Sequence, residues 1–348
     1  MSGPLLEVRD LTVTLPRGRG VGHGGSGAES LLAVDDVSFE VRRGEALALV
    51  GESGSGKSTL GRALLRLVRT RAGSVRYQAE PGGQVVDLLG LRGGALRRAR
   101  RELQIVFQDP RASLNPRHTV GRILGEVLAV HRLARHGVRE RRVERLLERV
   151  GLERDAALCW PHEFSGGERQ RISIARALAL EPRFIVLDEV TSALDVSVQA
   201  GIVNLLGDLK RDLGLSYLLI SHDLSVVNHL ADRVLVMTLG RLVECGTVEQ
   251  IFECPAHPYT RALLGARPNL TPGAPRPAVL VGQAPSPLSR PAGCSFHPRC
   301  AEALARCRTE DPRSALALDP EHSSACWLVA PGPDSGALGD QASGTDTP

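Results

Sequence analysis

Apolar and polar positions along this chain follow two periods. Residues 5–15 and 31–41 alternate, which predicts two half-buried strands. Ala46-Leu47-Ala48-Leu49-Val50 is an unbroken apolar run, as a strand buried on both faces requires. After it, Leu60, Ala63, Leu64, Leu67 and Val68 recur at helical spacing. Short strand-like pieces at 73–77 and 85–88 alternate with glycine turns. A basic helix over 95–102 then leads to a strand over 103–107. From 109 to about 180 the period becomes helical: Val143, Leu146, Leu147 and Val150 follow i, i+3, i+4, i+7, and Ile172, Ala175 and Ala179 share a face. Strands return at 184–187, 217–220 and 234–237, with a helix over 197–213. A strand–helix–strand order predicts a parallel sheet. The glycine-rich stretch 17–30 reads as a mobile loop and the proline- and glycine-rich stretch 265–292 as a linker or extended arm. Residues 330–348 are small and polar and are expected to be disordered. No internal repeat is evident.

The chain has 348 residues, room for about two domains. Apolar residues make up 42% of it and aromatic residues only 3%, so the core must be built from Leu, Val, Ala and Ile. The net charge of +4 is mild and no basic stripe with interleaved aromatics occurs, which argues against a nucleic-acid partner. Lys57 and Lys210 are the only lysines among 43 basic residues. The N-terminus has no apolar core of a signal peptide, and no run of about 18 apolar residues could span a membrane. The expected location is therefore the cytosol, with the seven cysteines reduced or bound to metal rather than paired.

One stretch concentrates chemistry. Gly51-Glu52-Ser53-Gly54-Ser55-Gly56-Lys57-Ser58, followed by Thr59, has the form G-x-x-x-x-G-K-S between a strand and a helix. Glycines let the backbone wrap phosphate oxygens, and amide N–H groups at the helix N-terminus present positive potential. Lys57 adds a full charge, and Ser58 offers a hydroxyl to Mg²⁺. The apolar strand 184–187 ends in Asp188 and Glu189. Carboxylates at the C-terminal end of a buried strand stand beside such a phosphate site. There Asp188 can hold Mg²⁺ through water, and Glu189 can polarise the water that attacks the γ-phosphate.

Ser165-Gly166-Gly167-Glu168-Arg169-Gln170 resembles the LSGGQ signature of the ATP-binding-cassette (ABC) ATPases, with Phe164 and Glu168 in place of Leu and Gln. Gln108 matches that family's Q-loop, Ser192-Ala193-Leu194-Asp195 its D-loop, and His222 its switch histidine. The resemblance covers residues 5 to about 265. It implies an α/β P-loop fold with a mainly parallel core sheet, an antiparallel β subdomain and an inserted helical subdomain over about 109–180. ATP and Mg²⁺ are the implied ligands. Glu189, His222 and Gln108 are the implied catalytic residues, and Ser58, Gln108 and Asp188 the Mg²⁺ set. Ser165, Gly166, Gly167, Glu168 and Asp195 would contact nucleotide held by a second cassette. The family's adenine-stacking aromatic near the end of the first strand is missing: Leu15-Pro16 stands there, and no Tyr, Phe or Trp precedes Phe39.

Within the family, Trp160-Pro161-His162-Glu163-Phe164-Ser165-Gly166-Gly167, the segment 109–117 and His257-Pro258-Tyr259-Thr260-Arg261-Ala262-Leu263-Leu264 resemble the oligopeptide/dipeptide/nickel importers, specifically their second, F-type, ATPase subunit. That implies peptide import, with nickel or another small solute open. The implied partners are a homologous ATPase subunit (a homodimer is the alternative), two transmembrane permeases and an extracytoplasmic binding protein, at the cytoplasmic face of the membrane. A soluble ABC ATPase acting on DNA or ribosomes would carry tandem cassettes or a long coiled coil, and neither is present. The cassette is expected over 1–264, a C-terminal module over 265–330 and a tail over 331–348. Four cysteines, Cys294, Cys300, Cys307 and Cys326, fall in that module. Their number suits zinc or an iron–sulfur cluster, or they stay unmetallated; the spacing lacks the tight pair of zinc ribbons. Residues 294–300 also resemble a motif of peptide-importer ATPases, some of which hold a [4Fe–4S] cluster there.

Overall fold

The computed structural model describes residues 3–16, 30–133, 137–192, 194–266, 285–286, 288–312, 316–319 and 321–329. Nearly all of the expected 17–30 loop, most of the 265–292 arm and the 330–348 tail lie outside them. Contacts divide the chain into two units, Met1–Leu242 with Gln283–Arg290, and Val243–Gly282 with Pro291–Pro348.

Along the first unit run strands β1 (Leu6–Pro16), β2 (Ser30–Val41), β3 (Ala46–Val50), β4 (Ala72–Gln78), β5 (Val85–Asp87), β6 (Leu103–Val106), β7 (Phe184–Asp188), β8 (Ser216–Ile220) and β9 (Arg233–Thr238). Its helices are α1 (Lys57–Leu64), α2 (Gly93–Glu102), α3 (Pro110–Ser113), α4 (Val120–Val130), α5 (Val138–Arg149), α6 (Gly166–Leu178), α7 (Val196–Leu213) and α8 (Leu224–Leu230). The strands form two sheets. One is antiparallel, in the order β2-β1-β4-β5; register shifts interrupt strict alternation in β1, and Val8, Leu11, Val13, Val34, Val37 and Val75 are among its buried positions. In the other, β3 lies between β8 and β9, and β7 lies between β8 and β6, all parallel. Every residue of β3, β7, β8 and β9 is buried, which matches their unbroken apolar runs. Helix α1 approaches this sheet through Gly61, where a β-carbon would sit 2.9 Å from both Ile220 and Val186. Helix α7 turns Ile202, Val203, Leu206 and Leu209 inward and ends on Gly214 in the left-handed conformation. The helical block expected between the strands is filled by α3 to α6.

The second unit holds most of β10 (Arg241–Thr247), then α9 (Val248–Glu253), α10 (Pro258–Gly265), β11 (Leu316–Asp319) and β12 (His322–Ser324). The division falls at 242, ahead of the expected boundary at 264, because Glu244 and Cys245 pair with Ser324 and Ser323 across β10 and β12. The H-P-Y-T stretch has a structural explanation. His257 caps α10, its Nδ1 accepting from Tyr259 N at 3.0 Å, and Pro258 occupies the first helical position. Tyr259 is fully buried and meets the Phe296 ring edge-on at 5.3 Å. Buried Glu244 accepts from Ala256 N at 2.7 Å, His257 N at 3.0 Å and His322 Nε2 at 2.8 Å, so one carboxylate ties three segments together.

His257 is buried, and its pKa is held down to about 4. Burial is the main cause; the Ala325 backbone pulls the other way and Arg261 adds to the depression. An unfolded chain binds this proton near pH 6.5, and the folded one does not until about pH 4. The stabilisation is therefore whole above pH 6.5 and fades as pH falls to 4, a loss on the order of 3 kcal/mol. Trp327 is the one tryptophan of this unit, so a Trp160→Phe background makes it the reporter. In that background, urea melts of His257→Asn, which keeps a capping acceptor, are expected to lose most of the acid slope. An unchanged slope would move its origin elsewhere.

Candidate active site

The sheet order explains how distant motifs meet. In the parallel sheet β3, β8, β7 and β6 are successive neighbours, so their C-terminal ends line one edge. The glycine loop follows β3, Asp188 ends β7 and Glu189 follows it, His222 follows β8, and Gln108 follows β6. The pieces assemble because the strands are parallel.

A cavity of 360 Å³ opens at this edge. The loop 51–56 forms its wall, and its glycines are sterically required. A β-carbon on Gly51 would lie 2.1 Å from the Met237 carbonyl oxygen, and one on Gly56 would lie 2.2 Å from that of Ala33. Gly54 and Gly56 also have φ of 79° and 104°. Lys57 is buried and folds back on the loop, donating to the carbonyls of Gly51 and Glu52 at 2.8 Å each. Burial lowers its pKa, against the opposing pull of Glu189, Asp188 and Glu52. Ser58 Oγ donates to Asp188 Oδ1 at 2.7 Å, and Asp188 is buried. Arg62, one turn after Ser58, brings a guanidinium nitrogen within 3.5 Å of Asp188 Oδ2. The hydroxyl and carboxylate so placed form an oxygen pair of the kind Mg²⁺ takes, beside a phosphate-shaped loop, so this site fits the ion.

Glu189 adopts φ of 50°, a left-handed conformation unusual for its residue type, and its N–H donates to Ile220 O at 3.0 Å. This turn aims its carboxylate into the cluster. Gln108 Nε2 donates to Glu189 Oε2 at 2.8 Å, and His222 Nδ1 lies 3.6 Å from the same oxygen. Three side chains expected to act together are therefore within reach of one another. Ser192 Oγ closes the turn on the Glu189 carbonyl at 3.0 Å.

Ser165, Gly166, Gly167 and Glu168 open α6. Ser165 Oγ accepts from Glu168 N at 3.3 Å and Glu168 Oε2 accepts from Ser165 N at 2.8 Å, a reciprocal cap. The Ser165 hydroxyl, then its N–H, hold the Glu168 carboxyl below the usual range. Glu168 in place of glutamine is thus a good cap as well as a signature variant. Gly167 lies against Val198 on α7, near the exposed Asp195 that begins that helix. None of these residues lines the cavity at Lys57, so within one chain the signature and the glycine loop do not share a site.

Some site residues carried no label in the sequence. Arg62 was findable, since i, i+4 spacing from Ser58 puts it on the same helix face. Leu31, Leu32, Ala33 and Gly240 also line the cavity, as does Arg290, more than 230 residues after the glycine loop. No local signal marks them.

In the second unit, Cys294, Cys307 and Cys326 are buried and Cys300 is partly so; all seven cysteines of the chain are free thiols. Burial pushes Cys294 up to about 11, with the nearby Cys307, Cys326 and Cys300 adding to it, and raises Cys300 and Cys326 as well. These three thiols thus feel the charge of neighbouring cysteines. Among the described residues, however, no group of three or more His, Cys, Asp or Glu side chains is drawn close enough to hold a metal ion.

Comparison with known proteins agrees with this geometry. Residues 34–192 match the ABC transporter family, and residues 243–307 match the oligopeptide/dipeptide transporter C-terminal region. A putative peptide import ATP-binding protein of Brucella ovis is 46% identical over 324 residues, covering 93% of this chain and 97% of that one. The dipeptide transport ATP-binding protein DppF of Haemophilus influenzae is 48% identical over 82% of this chain and 85% of its own length. The oligopeptide transport ATP-binding protein OppF of Salmonella typhimurium is 45% identical over 94% and 97%. Among solved structures, the dimeric post-hydrolysis state of the ATP-binding cassette MJ0796 bound to ADP and Pi superposes with a TM-score of 0.60 at 27% identity, covering 70% of this chain and 98% of that one. With a phosphate loop, an acidic strand end and a two-part match along its length, the chain belongs to the ABC transporter family, among the ATP-binding subunits of oligopeptide/dipeptide type.

Proposed function

We propose that this chain hydrolyses ATP to power peptide import through a membrane ABC transporter. The observation that carries the ATPase reading is the convergence of Gln108, Glu189 and His222 on one carboxylate oxygen beside the Lys57 loop. Peptide as cargo is supported by the relatives' names and by the match over 243–307; nickel or another small solute is the alternative.

In this reading Gly51, Glu52, Ser53, Gly54, Ser55, Gly56 and Thr59 wrap the phosphates, and Lys57 exchanges its carbonyl partners for β- and γ-phosphate oxygens. Ser58, Asp188 and Gln108 hold Mg²⁺, which when bound neutralises charge on the β- and γ-phosphates. Glu189 accepts a hydrogen bond from the attacking water and draws off its proton, while Gln108 orients it. His222 donates toward the γ-phosphate as charge moves off it. Ser165, Gly166, Gly167, Glu168 and Asp195 face nucleotide held by a second cassette, which accounts for their lying away from the chain's own cavity. That cassette is a homologous ATPase subunit, with a homodimer as the alternative. Two permeases, served by an extracytoplasmic binding protein, complete the assembly at the cytoplasmic face of the membrane. No described helix is long and apolar enough to cross a membrane.

We further propose that Cys294, Cys300, Cys307 and Cys326 take up a [4Fe–4S] cluster, with zinc as the alternative. Four cysteines in one small unit, three of them buried, are soft donors of the kind such a cluster takes. Such a group would staple the tail or make it redox-sensitive; hydrolysis does not need it.

Three outcomes follow. Affinity purification from native membranes should recover two permeases and a second ATPase subunit; ribosomes or DNA instead would overturn the import reading. Glu189→Gln should keep ATP binding yet lower phosphate release with those partners by about 100- to 10,000-fold, and wild-type turnover would remove Glu189 from the mechanism. Oxygen-free purification should yield about four irons and four sulfides per chain, whereas about one zinc would exclude redox control and no metal would refute both.

A further inference from the structure

The cavity at Lys57 has a phosphate end and an apolar end. Lys57, Ser58 and the loop amides occupy the first. Leu15 and Leu31, opposite each other in the register of β1 and β2, occupy the second. Neither is a ring, and a purine needs a surface to lie on. Arg290 reaches this end from far along the chain. Its side chain is only 16% exposed. One terminal nitrogen donates to Asp35 Oδ2 at 2.9 Å, and the other donates to the Leu32 carbonyl, next to Leu31. Arg241 shares the same Asp35 oxygen at 2.7 Å, so the carboxylate is clamped between two guanidinium groups. Gly240 closes the far side: a β-carbon there would stand 2.5 Å from an Arg290 terminal nitrogen. Gly240 N also donates to Ser55 O at 2.8 Å, which fastens this corner to the phosphate loop.

We propose that Arg290 recognises the base of the bound nucleotide, its guanidinium plane lying against adenine where relatives of this fold use a ring; the proposal rests on the ATP reading above. Arg290 is fixed in place by Asp35, which it shares with Arg241, so this corner of the cavity keeps one net positive charge. One N–H of each terminal nitrogen is held, by Asp35 and by the Leu32 carbonyl, and a guanidinium so held can offer the cavity it lines a flat, weakly hydrated face. Stacking on a nucleobase is what such a face does well. Its anchorage on the Leu32 carbonyl, next to Leu31, sets it at the base end. Arg290 is thus a specificity residue for the nucleotide and has no part in moving the phosphoryl group.

The test compares Mg-ATP with Mg-tripolyphosphate, which has the phosphates but no base, by calorimetric titration of the full chain. Arg290→Ala should weaken ATP about 3- to 30-fold and leave tripolyphosphate unchanged. Arg290→Lys keeps a charge and a donor for Asp35 but loses the plane, and should show the same selective loss even if the alanine variant fails to fold. In turnover assays KM for ATP should rise while kcat holds. Equal loss of both ligands, or loss of neither, would overturn the proposal. Lys57→Ala separates the two readings: it should abolish binding of both ligands, and if it does not, the nucleotide site itself is misassigned.

Discussion

Two backbone approaches decide the shape of everything around the nucleotide cavity. At Gly51 and Gly56 the phosphate loop lies so near the carbonyls of Met237 and Ala33 that no β-carbon fits. Those carbonyls belong to β9 of the parallel sheet and β2 of the antiparallel one, so the loop is pressed between both sheets. A side chain at either glycine would force the loop away from one sheet or the other. Lys57 ties the loop to itself through hydrogen bonds to the Gly51 and Glu52 carbonyls.

The second constraint is strand order. Four parallel neighbours deliver the glycine loop, the two acids, the histidine and the glutamine to one edge, each from a different connection. None of these groups touches another in sequence, yet Gln108 and His222 meet Glu189 at a single oxygen. The left-handed turn at Glu189 is where that geometry is concentrated. A strand that simply ran on would send the carboxylate to the opposite face, and a turn held by Ile220 O and Ser192 Oγ prevents it.

Much of this was legible beforehand, for identifiable reasons. The strands β3, β7, β8 and β9 are wholly buried, so their apolar runs stand out, and the amphipathic faces of α5 and α6 repeat long enough to be counted. The motifs were readable because each needs particular residue types at fixed spacing. What stayed hidden lacks period or locality. Strands β11 and β12 are three or four residues long, too short to alternate visibly. Arg290 sits after a proline-rich stretch, and its partners Asp35 and Leu32 precede it by more than 250 residues. The H-P-Y-T stretch was visible as a family resemblance but not as physics; only the fold shows a capping histidine, a first-turn proline and a buried tyrosine.

The chain's arginine-for-lysine habit has a practical side. Of two side-chain amines in the whole protein, Lys210 is tied to Asp232 at 2.5 Å and Lys57 lines the nucleotide cavity with its basicity lowered by burial. A less basic amine is more often unprotonated and so more nucleophilic. Apart from the chain's α-amino group, amine-directed labelling has only these two side chains to reach, so acylation of Lys57 read against Lys210 would report on how well the glycine loop is covered.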